Sequence, residues 1–181
     1  MYSVRAASEA DIPEIIRVTN RAYRAESFCI KGERTDAEDV RALCQSGRFL
    51  VIDDAHDPNR LLGSVYLKIT GTRGYLGMLA VDPDAQGCGL SRWLVEAVEE
   101  QCHVAGCDFV DLTVVNLRDD LFTFYEKFGF IIGGTMPFPV PERMLKPLQL
   151  VQMSKAIYVP ATHPSPAQLR GVCQNAPDGD H

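Results

Sequence analysis

The sequence predicts an α/β domain, a mixed central sheet of about six to seven strands with helices on both faces. Three observations carry this reading. Strand-like runs alternate with amphipathic helical patterns along most of the chain. The three strand-like runs between Arg48 and Val81 are joined by short turns, which suit antiparallel neighbours. At mid-chain a buried strand ending Leu79-Ala80-Val81 runs through a Gly-rich loop directly into a long helix, as a parallel crossover requires.

The elements follow in order. Tyr2 to Ala6 is a short first strand. Ser8 and Asp11 form an S-x-x-D capping arrangement, and Pro13 sits in the first turn of the helix it opens. Ile12, Ile15, Ile16, Thr19 and Tyr23 share one face of that helix. A polar segment, Ala25 to Arg34, separates it from a second helix that starts after Thr35 and turns Ala37, Val40, Leu43 and Cys44 inward. Arg48 to Asp53 is a strand closed by the turn Asp57-Pro58-Asn59, and Leu61 to Thr70 is the next. A hairpin over Gly71 to Gly74 leads into Tyr75 to Val81. The central helix runs from about Gly89 to Ala105, buries Leu90, Leu94, Ala97, Val98 and Cys102, and stops at Gly106. Phe109 to Val115 is a strand, Asp119 to Phe128 a short helix ended by Gly129, and Phe130 to Thr135 a strand. A Pro-rich insert, Met136 to Pro147, precedes a last strand from Leu148 to Ser154. Residues 1–158 therefore read as one domain. Residues 159–181, with four prolines and no apolar period, read as a disordered tail.

Composition narrows the function classes. Net charge is −6 with no Lys/Arg cluster, which argues against nucleic-acid binding and mildly favours cationic acceptors. No apolar run approaches the roughly 20 residues of a membrane helix, and no signal peptide is evident. A soluble, cytoplasmic protein without membrane attachment is the expectation. The six cysteines, Cys29, Cys44, Cys88, Cys102, Cys107 and Cys173, contain no C-x-x-C pair and read as reduced thiols. Cys102, His103 and Cys107 lack a fourth ligand, so no metal site is expected.

The chemistry is concentrated in Gln86-Gly87-Cys88-Gly89-Leu90-Ser91. A Gly-rich loop opening a helix aims unpaired backbone N–H groups at one spot, with the positive end of the helix dipole behind them. That arrangement binds a pyrophosphate.

The stretch Leu79-Ala80-Val81-x-Pro83-x-x-Gln86-Gly87-x-Gly89-Leu90 resembles the acetyl-CoA signature of the GCN5-related N-acetyltransferases, Q/R-x-x-G-x-G/A. Phe124-Tyr125-Glu126-Lys127-Phe128-Gly129-Phe130 is similar to that family's second signature, L-Y-x-K-x-G-F. The opening Val4-Arg5-Ala6-Ala7 with Asp11 and the closing Val151 to Lys155 also fit, so the resemblance covers residues 2 to about 158. It implies the GNAT fold and an acetyl-CoA-dependent transfer to a primary amine, on a small molecule or a peptide, by direct attack in a ternary complex. It implies too that the cofactor's pantetheine arm lies along Leu79, Ala80 and Val81. The pyrophosphate would then meet Gln86, Gly87, Cys88, Gly89, Leu90 and Ser91, where a Cβ on either glycine would intrude. Tyr125 becomes the candidate acid for the departing thiolate, since a phenol of pKa about 10 is protonated at neutral pH. A backbone N–H near Leu79 or Ala80 would receive the oxyanion.

Three positions depart from the family pattern. Ser91 replaces the last Gly or Ala of the loop, a small residue whose hydroxyl could itself donate to phosphate. Asn116, the counterpart of a cofactor-contacting Asn, lies nine residues before Tyr125 instead of seven. The place of the fourth-strand Glu that many relatives use as base is taken by Tyr75. Glu26, Glu33 and Asp111 remain as carboxylates, each read as a solvated surface group, and no base is assigned. Cys88 reads as a tolerated small residue, and Leu90 as a core anchor for the helix. Phe28 and Phe138 give a partly apolar acceptor pocket, walled by the Pro-rich insert. A homodimer is compatible with the family, although no residue specifies an interface. The competing readings are a non-catalytic acyl-CoA-binding or regulatory module, which the absent Glu favours, and a doubly wound nucleotide-binding domain. The latter places its Gly motif near the N-terminus rather than at mid-chain.

Overall fold

Residues 2–157 are described by the computed structural model, so the tail expected over 159–181 lies outside the described residues. Their strands are β1 (Val4–Ala6), β2 (Arg48–Asp54), β3 (Asp57–Thr70), β4 (Arg73–Val81), β5 (Phe109–Val115), β6 (Ile131–Pro137) and β7 (Gln149–Ala156). The helices are α1 (Ile12–Tyr23), α2 (Ala37–Ser46), α3 (Leu90–Val104) and α4 (Asp119–Glu126). The strands form one seven-stranded sheet in the order β1-β2-β3-β4-β5-β7-β6. Every neighbouring pair is antiparallel except β4 and β5, the two that α3 connects. The expected α/β architecture, with its antiparallel first half and single parallel crossover, is the one found.

Strand alternation divides the core into two layers. Phe49 and Val51 of β2 pack with Ile12 and Ile15 of α1 and Val40 of α2 on one face. Leu50 and Ile52 pack with Leu90, Leu94 and Val98 of α3 and Tyr125 of α4 on the other. The Ser8–Asp11 cap forms as expected, and α2 is capped by Asp36. The Ser8 N–H donates to the Asp11 carboxylate at 2.7 Å, and Asp36 accepts the Glu38 and Asp39 N–H groups at 2.9 Å each.

Two local expectations change. Cys44 is exposed, because Ala37, Val40 and Leu43 define the inner stripe of α2 and Cys44 falls beside it. The β2–β3 reversal sits at Ala55–His56, not at Asp57-Pro58-Asn59. Asp54 pairs with Asp57 and its carboxylate takes the His56 N–H at 2.9 Å, so Pro58 lies within the start of β3.

What positions the site is a divergence in the sheet. β4 and β5 pair only over Arg73–Tyr75 and Phe109–Asp111, and beyond Tyr75 they part. At the paired end α3 lies against β4 so closely that a Cβ on Gly74 would collide with the Cys102 sulfur. At the open end β4 carries a bulge, where Met78 and Leu79 together oppose the single residue Val65 of β3. Met78 has φ 49°, a left-handed conformation that costs a non-glycine residue about 1 kcal/mol or more.

Candidate active site

Between the diverging strands lies a cavity of about 500 Å³. It crosses the sheet. One end is lined by Gln86, Gly87, Gly89, Leu90 and Ser91 at the start of α3. The other end is lined by Tyr23, Glu26 and Arg34 from the α1–α2 connection and by Phe138 and Arg143 from the β6–β7 connection.

The α3 end is built from main chain. Gly87 and Gly89 have φ of 83° and 75°, the region glycine enters without penalty. An added Cβ at either would meet no protein atom within 4 Å, so backbone conformation explains the glycines and the space above them is open. Gly89 precedes the first turn of α3, whose leading N–H groups have no acceptor within the helix. Donors, dipole and open space together fit a pyrophosphate. The loop is fixed from below by Asp82, which is fully buried. Its carboxylate takes Arg17 at 2.6 Å, Arg21 at 2.8 Å and Arg60 at 3.2 Å. Burial alone would raise the Asp82 pKa, but the bonds from Arg17, the Asp84 N–H and Arg60 outweigh it and hold the carboxyl below its ordinary value.

Tyr125 projects from α4 with its ring packed edge-to-face on Phe124 at 5.0 Å and on Phe130 at 5.8 Å. The residue is 7% exposed and lines the cavity. Burial, reinforced by Tyr23 and Tyr75, drives its pKa up, so the phenol is held protonated.

Of the three carboxylates that sequence left as surface groups, one is not on the surface. Glu26 is 7% exposed and lines the cavity, with Arg118 at 3.4 Å. Desolvation raises its pKa, and the nearby guanidiniums of Arg118 and Arg34 only partly oppose this. The signal was present in the period: the face of Ile12, Ile15, Thr19 and Tyr23 continues through the turn Arg24–Glu26 to place Glu26 inward. Asp111 instead accepts both Arg73, at 2.6 Å, and the Ser154 hydroxyl, at 2.5 Å, and its pKa is lowered first by Arg73. Glu33 is exposed.

Leu79 and Val81 line the cavity, and Ala80 is buried opposite Ser64 of β3. Cys88 is exposed. Asn116 stands apart: its Oδ1 accepts the Gln149 N–H at 2.8 Å, and its own N–H donates to the Gln149 carbonyl at 3.0 Å. Tyr75 donates to or accepts from the Thr113 hydroxyl at 3.2 Å at the cavity's edge. Tyr23 is a site residue that sequence placed only in the core. Burial pushes its phenol up to about 12.

Among described residues no helix is long and apolar enough to cross a membrane.

Comparison with known proteins agrees with this geometry. YncA from Salmonella typhimurium, solved with its cofactor acetyl-CoA, superposes with a TM-score of 0.67 at 18% identity, covering 91% of this chain and 99% of that one. The Escherichia coli ribosomal-protein-S18-alanine N-acetyltransferase gives 0.71 at 16% identity, over 88% and 96% of the two chains. Ard1 from Thermoplasma volcanium gives 0.70 at 20%, over 87% and 99%. At these identities the likeness is one of fold. In sequence, mycothiol acetyltransferase of Gordonia bronchialis is 36% identical over 129 residues, 68% of this chain. The chain spans 41% of that relative's length. The model of the acetyltransferase (GNAT) family matches residues 13–130, a span holding the bulge, the Gly-rich loop and Tyr125. On that match, and on the 36% identity to mycothiol acetyltransferase, the chain belongs to the GNAT acetyltransferase family.

Proposed function

We propose that the chain is an acetyl-CoA-dependent N-acetyltransferase that acts on a primary amine by direct attack in a ternary complex. The observation that carries this is one cavity joining a phosphate-binding helix start to a buried Tyr125 and a buried Glu26. Acetyl-CoA supplies an activated thioester. Gly87, Gly89, Leu90 and Ser91, with Gln86, hold its pyrophosphate, and Leu79 and Val81 flank its arm. Asn116 is assigned to fastening β5 to the start of β7 instead, since its side chain is engaged there.

Glu26 takes a proton from the acceptor ammonium, for which its raised pKa suits it. The freed amine forms the C–N bond. A main-chain N–H at the bulge, that of Leu79, receives the developing oxyanion, the ladder register of β3 and β4 being broken there. The C–S bond breaks as Tyr125 gives its proton to the departing thiolate, and the phenol recovers one from the nitrogen of the new amide.

The test is thiol release from acetyl-CoA on addition of amines, with the full chain and Tyr125→Phe. A loss of about 10²- to 10⁴-fold in kcat with acetyl-CoA binding retained is expected. Wild-type kcat in Tyr125→Phe refutes the role of the tyrosine. Acetyl-CoA binding without turnover on any amine favours the non-catalytic module.

A further inference from the structure

The acceptor end of the cavity has a charge pattern opposite to that of the whole chain. The protein carries −6, yet the charged side chains lining the main cavity are Glu26, Arg34, Arg118 and Arg143. The single carboxylate is already matched, since Arg118 pairs with Glu26 at 3.4 Å and with Asp120 at 2.8 Å. Arg34 and Arg143 have no carboxylate partner among the described residues. Arg34 lies over the Tyr23 ring at 5.2 Å. Arg143 gives its Nε–H to the Lys31 carbonyl at 2.8 Å and a second N–H to the Glu33 carbonyl. A smaller annex beside the cavity repeats both arginines and adds Arg24 and the exposed Glu33, so the surplus remains positive.

These guanidiniums are not placed for the pyrophosphate. Arg34 follows α1 and Arg143 lies between β6 and β7, whereas the Gly-rich loop opens α3 on the other face of the sheet. The annex contains no residue of that loop. The main chain that carries Arg34 is held by Asn20 of α1, whose Oδ1 accepts the backbone N–H of Arg34 at 2.9 Å and that of Thr35 at 3.0 Å. The two connections are stitched together across the mouth by the Ile30–Met144 bridge and by the Lys31 N–H to the Arg143 carbonyl at 2.8 Å.

We infer that the acceptor is a free amino acid, its ammonium directed to Glu26 and its carboxylate to Arg34 and Arg143. A guanidinium presents a planar fork that matches a carboxylate in two hydrogen bonds. Ile30, Phe138 and Leu150 leave an apolar wall for the side chain. This rests on the acetyltransferase reading and replaces the preference for cationic acceptors that overall charge suggests. Polyamines and other multiply cationic amines are disfavoured at such a site.

The experiment compares alanine, leucine and phenylalanine with their amides and their decarboxylated amines, by thiol release from acetyl-CoA. A kcat/KM about 10- to 100-fold higher for at least one acid than for its amide is expected. Arg34→Gln should collapse that ratio through KM, and Arg34→Lys should recover part of it. In parallel, binding of the N-acetyl amino acids and N-acetyl amides to the CoA-loaded full chain is measured by calorimetry. Amides or simple amines that turn over as well as the acids overturn the inference and leave the acetyltransferase reading intact. Selective binding of N-acetyl acids without turnover sustains the inference while the catalytic reading fails. Equal or undetectable binding of both, with no turnover, overturns it.

Discussion

Replacing Asp82 by Asn tests how the cofactor loop is held. Asp82 follows the last residue of β4 and caps the turn Pro83–Ala85 that leads into the loop, and its N–H donates to the Leu62 carbonyl at 2.8 Å. Its fully buried carboxylate meets guanidiniums from α1 and β3 whose side chains are 30%, 31% and 33% exposed. Breaking a fully buried ion pair costs about 3–5 kcal/mol. Because the three arginines keep partial access to water, the cost here is discounted to about 2–3 kcal/mol. For a domain of this size that lowers Tm by about 4–12 °C. Urea unfolding of the two proteins measures the difference, and acetyl-CoA titration measures loop damage as weakened binding. The pH dependence has a definite sign. A carboxyl whose folded pKa is depressed contributes stability that is present above the unfolded value, about 3.9, and lost as pH falls through the folded value. The gap between wild type and Asp82→Asn should therefore be constant from neutral pH down to about 5 and narrow below. A difference under about 0.5 kcal/mol at neutral pH refutes the reasoning, since that is the range of surface substitutions.

Two further outcomes follow from single contacts. With Glu26 as base, kcat/KM rises with pH through its raised pKa, and Glu26→Gln removes that acid limb when profiles are compared from about pH 5 to 9. The stability that Glu26 gains by being protonated is present below its unfolded pKa and lost as pH rises, so at neutral pH Glu26→Gln should leave the urea midpoint level or slightly higher. Gly74→Ala forces a methyl onto the Cys102 sulfur and should cost about 1–3 kcal/mol. In the double variant Cys102→Ala recovers part of that cost, a coupling that a double-mutant cycle reads directly.

Local pattern made much of this site legible. The Gly-rich loop, the helix it opens and the position of Tyr125 are each written within a few consecutive residues. What escaped depends on distant partners. The bulge at Met78–Leu79 exists because two residues oppose Val65, a register that no local signal encodes, and Met78 adopts its left-handed conformation without being a glycine. The charge of Glu26 points to the surface, whereas the helical period of α1, continued through the turn Arg24–Glu26, carries it inward. The arginines at the mouth lie more than a hundred residues apart in sequence, and only the stitching of the two connections unites them. Cys44 lies one position beyond the inward Leu43, and the β2–β3 reversal falls just ahead of Asp57-Pro58-Asn59; in both places neighbouring residues offer equally good signals.

The most direct measurement is calorimetric titration of acetyl-CoA into the full chain and into Gly89→Glu. The account predicts one site in the intact protein. It predicts loss of that site in the variant, where a carboxylate faces the phosphates and a side chain is forced to φ 75°. Absence of binding by the intact protein, or equal binding by Gly89→Glu, would contradict it.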